Sequence, residues 1–216
     1  MKVVAPFLIL STLLFSCINQ ERLKPENFAE REVVLKDLFE DTAFYKVNLF
    51  VPMELDTLLE WVDNSDCPCC EVKKYRFASS KGCLIQESGF FKPEYCRDSF
   101  QRLTVEHSCF GKDDLRIDTA FLSRNVRREN QRNKESQYPE IEWRQQEIKN
   151  INGRLFAIFH YVGRNPYLEK PFEQIVAVTN FRNTVLDFRF ECYRQDCIDF
   201  SEKAFKTINS IMIGSK

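Results

Sequence analysis

Glu147–Tyr161, EIKNINGRLFAIFHY, is the stretch that decides the fold. Asn152-Gly153 supplies the two positive-φ residues that a two-residue type I′ turn demands, so Glu147–Ile151 and Arg154–Tyr161 read as the arms of a hairpin. Leu155, Phe156, Ala157, Ile158 and Phe159 are consecutive and apolar, the pattern of a strand buried on both faces. Ile175–Val178 repeats that pattern. In Thr184–Cys192, TVLDFRFEC, the residues Leu186, Phe188, Phe190 and Cys192 alternate with Asp187, Arg189 and Glu191. That alternation predicts a strand with one core face and one solvated face. Ala204, Phe205, Ile208, Ile211 and Met212 then recur at helical spacing. Trp143–Met212 is therefore a run of strands closed by one amphipathic helix, and the rest of the chain must fold onto it.

Upstream, Tyr45, Val47, Leu49 and Val51 alternate with polar neighbours and predict a strand that Pro52 ends. Val72–Ala78, Cys83–Glu87 and the alternating Leu103, Val105, His107 and Cys109 are strand-like as well. Phe28, Val33, Leu35, Leu38 and Phe39 are spaced as a loose helix, and Leu55, Leu58, Leu59 and Val62 as a short amphipathic one. Asn64-Ser65-Asp66 breaks the latter, and Gly89–Asp98 is a loop marked by Gly and Pro. Asp118–Asn133 starts helical on Phe121, Leu122 and Val126, then loses its apolar stripe in Arg124, Arg127, Arg128, Arg132 and Lys134. A solvated helix face is the expected role of that basic run.

The chain begins with a targeting segment. Lys2 is its single charge, Val3–Phe15 is apolar but shorter than the ~20 residues a spanning helix needs, and Ser16 is a small residue ahead of Cys17. Leu14-Phe15-Ser16-Cys17 resembles the bacterial lipobox. The resemblance implies cleavage before Cys17, diacyl attachment to its sulfur, and a lipid-anchored protein of the cell envelope, expected at the outer membrane. Residues 1–17 are thus a lipoprotein signal, 18–30 a polar tether, and 31–216 one globular domain. The 31 basic and 32 acidic residues leave a formal charge of −1. So balanced a surface offers no electrostatic footprint for nucleic acid.

The nine cysteines, less Cys17, are Cys67, Cys69, Cys70, Cys83, Cys96, Cys109, Cys192 and Cys197. An even set in an exported chain points to disulfides. Cys192 ends the alternating strand on its core face, and Cys197 begins the helix that must cover that face, so these two are expected to pair. Asp196 or Asp199 is expected to cap that helix, with Cys197 in its first turn. Cys67, Cys69 and Cys70 keep three readings open. They can form staples to Cys83, Cys96 and Cys109. With Cys83, Cys109 or His107 they can hold Zn²⁺ or Cu⁺, the set Cys67, Cys69, Cys70, His107 and Cys109 being the alternative metal site. Or Cys67 and Cys70 can form a redox pair, which lacks the helix start that would activate its thiolate. His160, between Phe159 and Tyr161, is expected to be a hydrogen-bonded core or rim residue, and Asp113-Asp114 a turn cap. No Gly-x-Ser-x-Gly elbow, Gly-rich phosphate loop or His-Glu-x-x-His helix occurs, so neither an enzyme nor a cofactor is expected.

The order of elements carries a further resemblance. A strand ends at Phe50-Val51-Pro52, a helix bearing Trp61 follows, and then strands, the Asn-Gly hairpin, two more strands and a helix ending Ile208-Asn209-Ser210-Ile211. Over Phe44–Met212 this resembles the PsbP-like fold, which also occurs in the Mog Ran-binding proteins and in bacterial lipoproteins. The resemblance implies an α+β fold, an antiparallel sheet flanked by helices in an α/β/α sandwich. It further implies a binding or assembly factor acting on another envelope protein or a small ligand. The alternative from the cysteines is a metal-binding or thiol-redox envelope protein.

Overall fold

A computed structural model describes residues 23–38, 43–63, 71–82, 100–108, 116–135, 141–165, 170–181, 184–193 and 197–215. The strands are β1 (Phe28–Lys36), β2 (Ala43–Pro52), β3 (Thr57–Asp63), β4 (Val72–Ala78), β5 (Phe100–Ser108), β6 (Glu142–Ile151), β7 (Arg154–Asn165), β8 (Lys170–Phe181), β9 (Thr184–Tyr193) and β10 (Met212–Ser215). The helices are α1 (Thr119–Glu135), between β5 and β6, and α2 (Phe200–Ser210), between β9 and β10. Every strand pairing is antiparallel. A seven-stranded sheet runs β3-β4-β5-β9-β8-β7-β6, and a three-stranded sheet runs β1-β2-β10.

The hairpin forms at the predicted turn: Asn152 and Gly153 have φ of 50° and 82° and join β6 to β7. From Phe156 to Phe159 the apolar run on β7 is buried on both sides because two separate cores meet it, whereas Leu155, expected to be buried with them, is 48% exposed. Phe156 and Ile158 join Leu103, Val105, Ile175, Phe188 and Phe190 under α2 and the small sheet. Ala157 and Phe159 join Val176 and Val178 under Phe121 of α1. The layers are therefore a mixed layer of α2 with β1-β2-β10, the seven-stranded sheet, and α1. The expected helix-flanked sandwich needs that correction: one of its two outer layers is largely a second sheet.

Two expected helices are strands. Phe28–Phe39 contributes β1, in which Val33 and Leu35 are buried two residues apart, Val34 between them is half-buried and Glu32 before them is exposed. Its strand begins inside the expected tether 18–30. Leu55–Val62 contributes β3, an edge strand registered on β4 with Trp61 opposite Lys74. α2 also stops earlier than the apolar spacing predicts. The Ser210 hydroxyl donates to Thr207 O (2.6 Å) and accepts the Phe50 backbone N–H (2.8 Å), tying the helix end to β2. Ile211 is already extended, and Met212 opens β10.

Candidate functional site

The residues of β9 that face away from α2 build the site. Register aligns Asp187 with Glu106 of β5, Arg189 with Thr104, and Glu191 with Arg102. On the other side of β9, Val178, Val176 and Gln174 of β8 continue the same rows. One half of this sheet face is thus apolar and covered by α1, and the half over β4, β5 and β9 is charged. The charged half is not the solvated face that simple alternation predicts. Glu191 is 8% exposed, Arg76 3% and Thr104 2%.

Burial of so many charges requires pairing, and the register provides it. Arg102 Nε holds Glu191 Oε2, and Arg76 Nε donates to Thr104 Oγ1 at 3.0 Å while its guanidinium lies 4.8 Å over the Trp61 ring. Arg189 holds Asp187 at 3.1 Å and lies 3.8 Å from Glu106, and Lys74 holds Asp63 at 2.7 Å. Burial pushes the Glu191 carboxyl up, but Arg102, Arg189 and Arg76 more than offset it, and the group titrates below its ordinary value. Burial alone pulls the Arg189 guanidinium down; Asp187 and Glu106 hold it above its ordinary value.

Glu106 is the exception. Burial pushes its carboxyl up, the Asp187 charge adds to the effect, and Arg189 and Lys74 offset only part, so it titrates at about 7 instead of 4.5. Between those values the folded protein keeps a proton that the unfolded chain has lost. Stability from this group is therefore complete below 4.5 and declines as pH rises to about 7. The decline is expected to be at most ~3 kcal/mol, at 1.36 kcal/mol per unit. Glu106→Gln, a mimic of the protonated form, is expected to flatten it. Urea unfolding of both proteins at pH 5 and pH 8 checks this, and parallel pH dependences would remove Glu106 from the account.

At the seam between the two halves of this face a cleft opens to solvent. Phe159, Tyr161, Val176 and Val178 form its floor, Asp187 and Arg189 one wall, and Asn125, Arg128 and Glu129 of α1 the other. Its enclosed space is only about 30 Å³, and the rest of the depression is open to solvent. α1 is positioned by Asp118, whose carboxylate caps the Phe121 N–H at 2.8 Å, and by Asn130, which accepts the Trp143 indole N–H at 3.1 Å. The Tyr161 hydroxyl donates to Gln174, and burial pushes its titration up. Among the described residues, Asp187 Oδ1 is buried without a hydrogen-bond partner. The opening thus presents an apolar floor between two polar walls.

Cys192 and Cys197 form a disulfide, with Cα atoms 5.8 Å apart. Cys197 precedes the helix instead of lying in its first turn, and accepts the Phe200 N–H at 3.2 Å. Asp199 occupies the N-cap position with φ 59°, and its side chain makes no capping hydrogen bond. His160 is held by Glu173 at 2.7 Å, at the rim beneath Phe205. His107 is 2% exposed and packs edge-on against Phe44. Cys17, Cys67, Cys69, Cys70, Cys83, Cys96, Cys109 and Asp113-Asp114 lie outside the described residues, as does the strand expected over Cys83–Glu87. Among the described residues no group of three or more His, Cys, Asp or Glu side chains is placed to hold a metal ion. No described helix is long and apolar enough to cross a membrane.

What the sequence reading missed is the charged half of the sheet face. Asp187, Arg189 and Glu191 were visible as an alternation, but their partners on β5 are more than 80 residues away in the chain, as in Arg102 with Glu191, a separation of 89.

Over the described residues the molecule is thus mostly antiparallel β-sheet, with two helices and a cleft between one helix and the sheet. It is similar in structure to PsbP of Synechocystis sp. PCC 6803, at 13% identity over 85% of this chain and 92% of that one, with a TM-score of 0.49. It is similar also to the Saccharomyces cerevisiae Ran-binding protein Mog1p, at 12% identity over 86% of this chain and 95% of that one, TM-score 0.45. LpqN of Mycobacterium tuberculosis, involved in cell envelope biogenesis, matches at 12% identity over 85% of this chain and 91% of its own, TM-score 0.43. No family model matches the chain, and no curated protein matches it.

Proposed function

We propose that the protein is a lipid-anchored binding or assembly factor of the cell envelope, carried at the outer membrane by Cys17 and acting without catalysis. The observation that carries the binding role is the cleft at the α1–sheet seam, with its apolar floor and its walls of Asp187, Arg189 and Arg128. It is built on paired strands and one capped helix, so the surface it offers is fixed before a ligand arrives. On its sheet wall Arg189 is paired with Asp187, which holds both side chains in place. The anchor is supported by the lipobox-like Leu14–Cys17.

Two measurements test the two halves of this reading. Cys17→Ser is expected to leave an unprocessed precursor without the diacyl mass, and normal processing with detergent-phase partition of that variant would remove the anchor. A photoreactive side chain placed at position 128, on the cleft wall, is expected to crosslink an envelope component in intact cells. The same group at position 31, on β1 of the opposite layer, is expected to yield no such adduct. Equal labelling from both positions would remove the cleft as the binding surface.

A further inference from the structure

We propose that Asn152-Gly153, the turn between β6 and β7, is a site of spontaneous deamidation, and that its conversion unclasps the C-terminal strand β10. Gly153 is the only one of the six glycines that follows an asparagine. Both turn residues are exposed, and a Cβ at Gly153 would have no neighbour within 4 Å, so the backbone nitrogen beside the Asn152 side chain is unshielded. The turn also does more than reverse the chain. The Asn152 side-chain amide donates to Ile211 O at 2.8 Å and to Asn209 O at 3.4 Å, 59 and 57 residues further along. Ile211 is the extended residue at which α2 gives way to β10. One amide group thus joins the hairpin of the large sheet to the start of the strand that completes the small one.

The reaction needs only water. The Gly153 nitrogen attacks Asn152 Cγ, the new C–N bond closes a succinimide ring, and the Cγ–Nδ2 bond breaks. The proton of the attacking nitrogen passes through solvent to the departing amine, which leaves as ammonia. Water then opens the ring. Cleavage at Cγ gives aspartate, and cleavage at the backbone carbonyl gives isoaspartate. The fold restrains this chemistry, because Nδ2 is held on Ile211 O and the turn is set at φ 50° and 82°, so attack waits for the clasp to open. Conversion then has a structural consequence. A carboxylate offers the Ile211 and Asn209 carbonyls no donor and sets a negative charge against them. Isoaspartate also adds a backbone carbon to a turn that two positive-φ residues close. β10 has only four residues, paired with residues 45–48 of β2, so the tie at its start is a large share of its hold. Its release bares that edge of β2.

The test incubates the purified full chain at mildly alkaline pH, folded and in denaturing urea, and maps peptides for aspartate and isoaspartate at position 152. Conversion is expected in both, at least ~10-fold slower in the folded protein. The folded converted protein, separated by its added negative charge, is expected to exchange the backbone amides of Met212–Ser215 about fivefold faster or more, with those of β7, β8 and β9 unchanged. Asn152→Asp is expected to reproduce that exchange pattern directly. Asn152→Gly keeps the positive φ and removes the amide, so it is expected to loosen β10 and to yield no product. Absence of product at 152 in urea, or equal rates in the folded and unfolded chain, overturns the clasped site. Converted protein or Asn152→Asp whose β10 amides exchange as slowly as before overturns the release of the strand.

Discussion

Truncation of Phe188 to alanine is expected to lower the unfolding free energy by about 3–5 kcal/mol. Phe188 is 0% exposed at the centre of β9, opposite Val105 on one side and Ala177 on the other, with the Phe156 ring 6.1 Å away. Its ring stands where the two halves of the seven-stranded sheet join beneath α2. Nothing nearby is free to collapse into the space, because the neighbouring strands are locked in register on both sides. Phe188→Leu keeps most of the apolar volume and is expected to recover most of the loss. Urea unfolding with a shared m-value measures both. A loss under about 1 kcal/mol for the alanine variant would show that this site is not the packed centre of the core.

Arg102→Met is expected to cost a comparable amount, about 3–5 kcal/mol, for a different reason. Methionine fills much the same space, but Glu191, 8% exposed, loses the cation that holds it. An unpaired carboxylate in that position takes up a proton at a higher pH than before. The deficit is therefore expected to shrink in acid and to be largest near neutrality. Adding Glu191→Gln is expected to restore much of the stability, since a neutral side chain no longer needs the guanidinium. A double-mutant cycle over pH 4 to 8 reads all three statements. Additive single losses, with no recovery in the double variant, would show that the two residues do not act as a pair.

The Trp143–Met212 unit was largely legible because local chemistry controls it. Asn152-Gly153 favours one turn type, Leu155–Phe159 of β7 is an unbroken apolar run, and α2 carries its stripe at helical spacing. Leu55, Leu58, Leu59 and Val62 misled because apolar residues at helical spacing also fit an edge strand: Leu55 is buried just before β3, and the three within it are not. There Trp61 is buried at 9% exposure while Leu58 stands out at 44%. The truer signal in β1 was Val33-Val34, a β-branched pair that favours a strand over a helix. The charged half of the candidate site could not be read at all. Whether Glu191 faces water or Arg102 depends on β9 pairing with β5, and no local pattern encodes that partner.

The pairing of β5 with β9 also has a temporal side. Strands β3, β4 and β5 reach the large sheet only through β9, with Leu103 opposite Phe190. β2, likewise, waits for β10 before its second edge is filled. A polypeptide emerging from its N-terminus therefore cannot complete either sheet until nearly all of it has appeared. Until then the early strands expose apolar faces and unpaired backbone groups. Such a chain stays open for as long as its synthesis lasts, and its folding is held back until both of its ends are present.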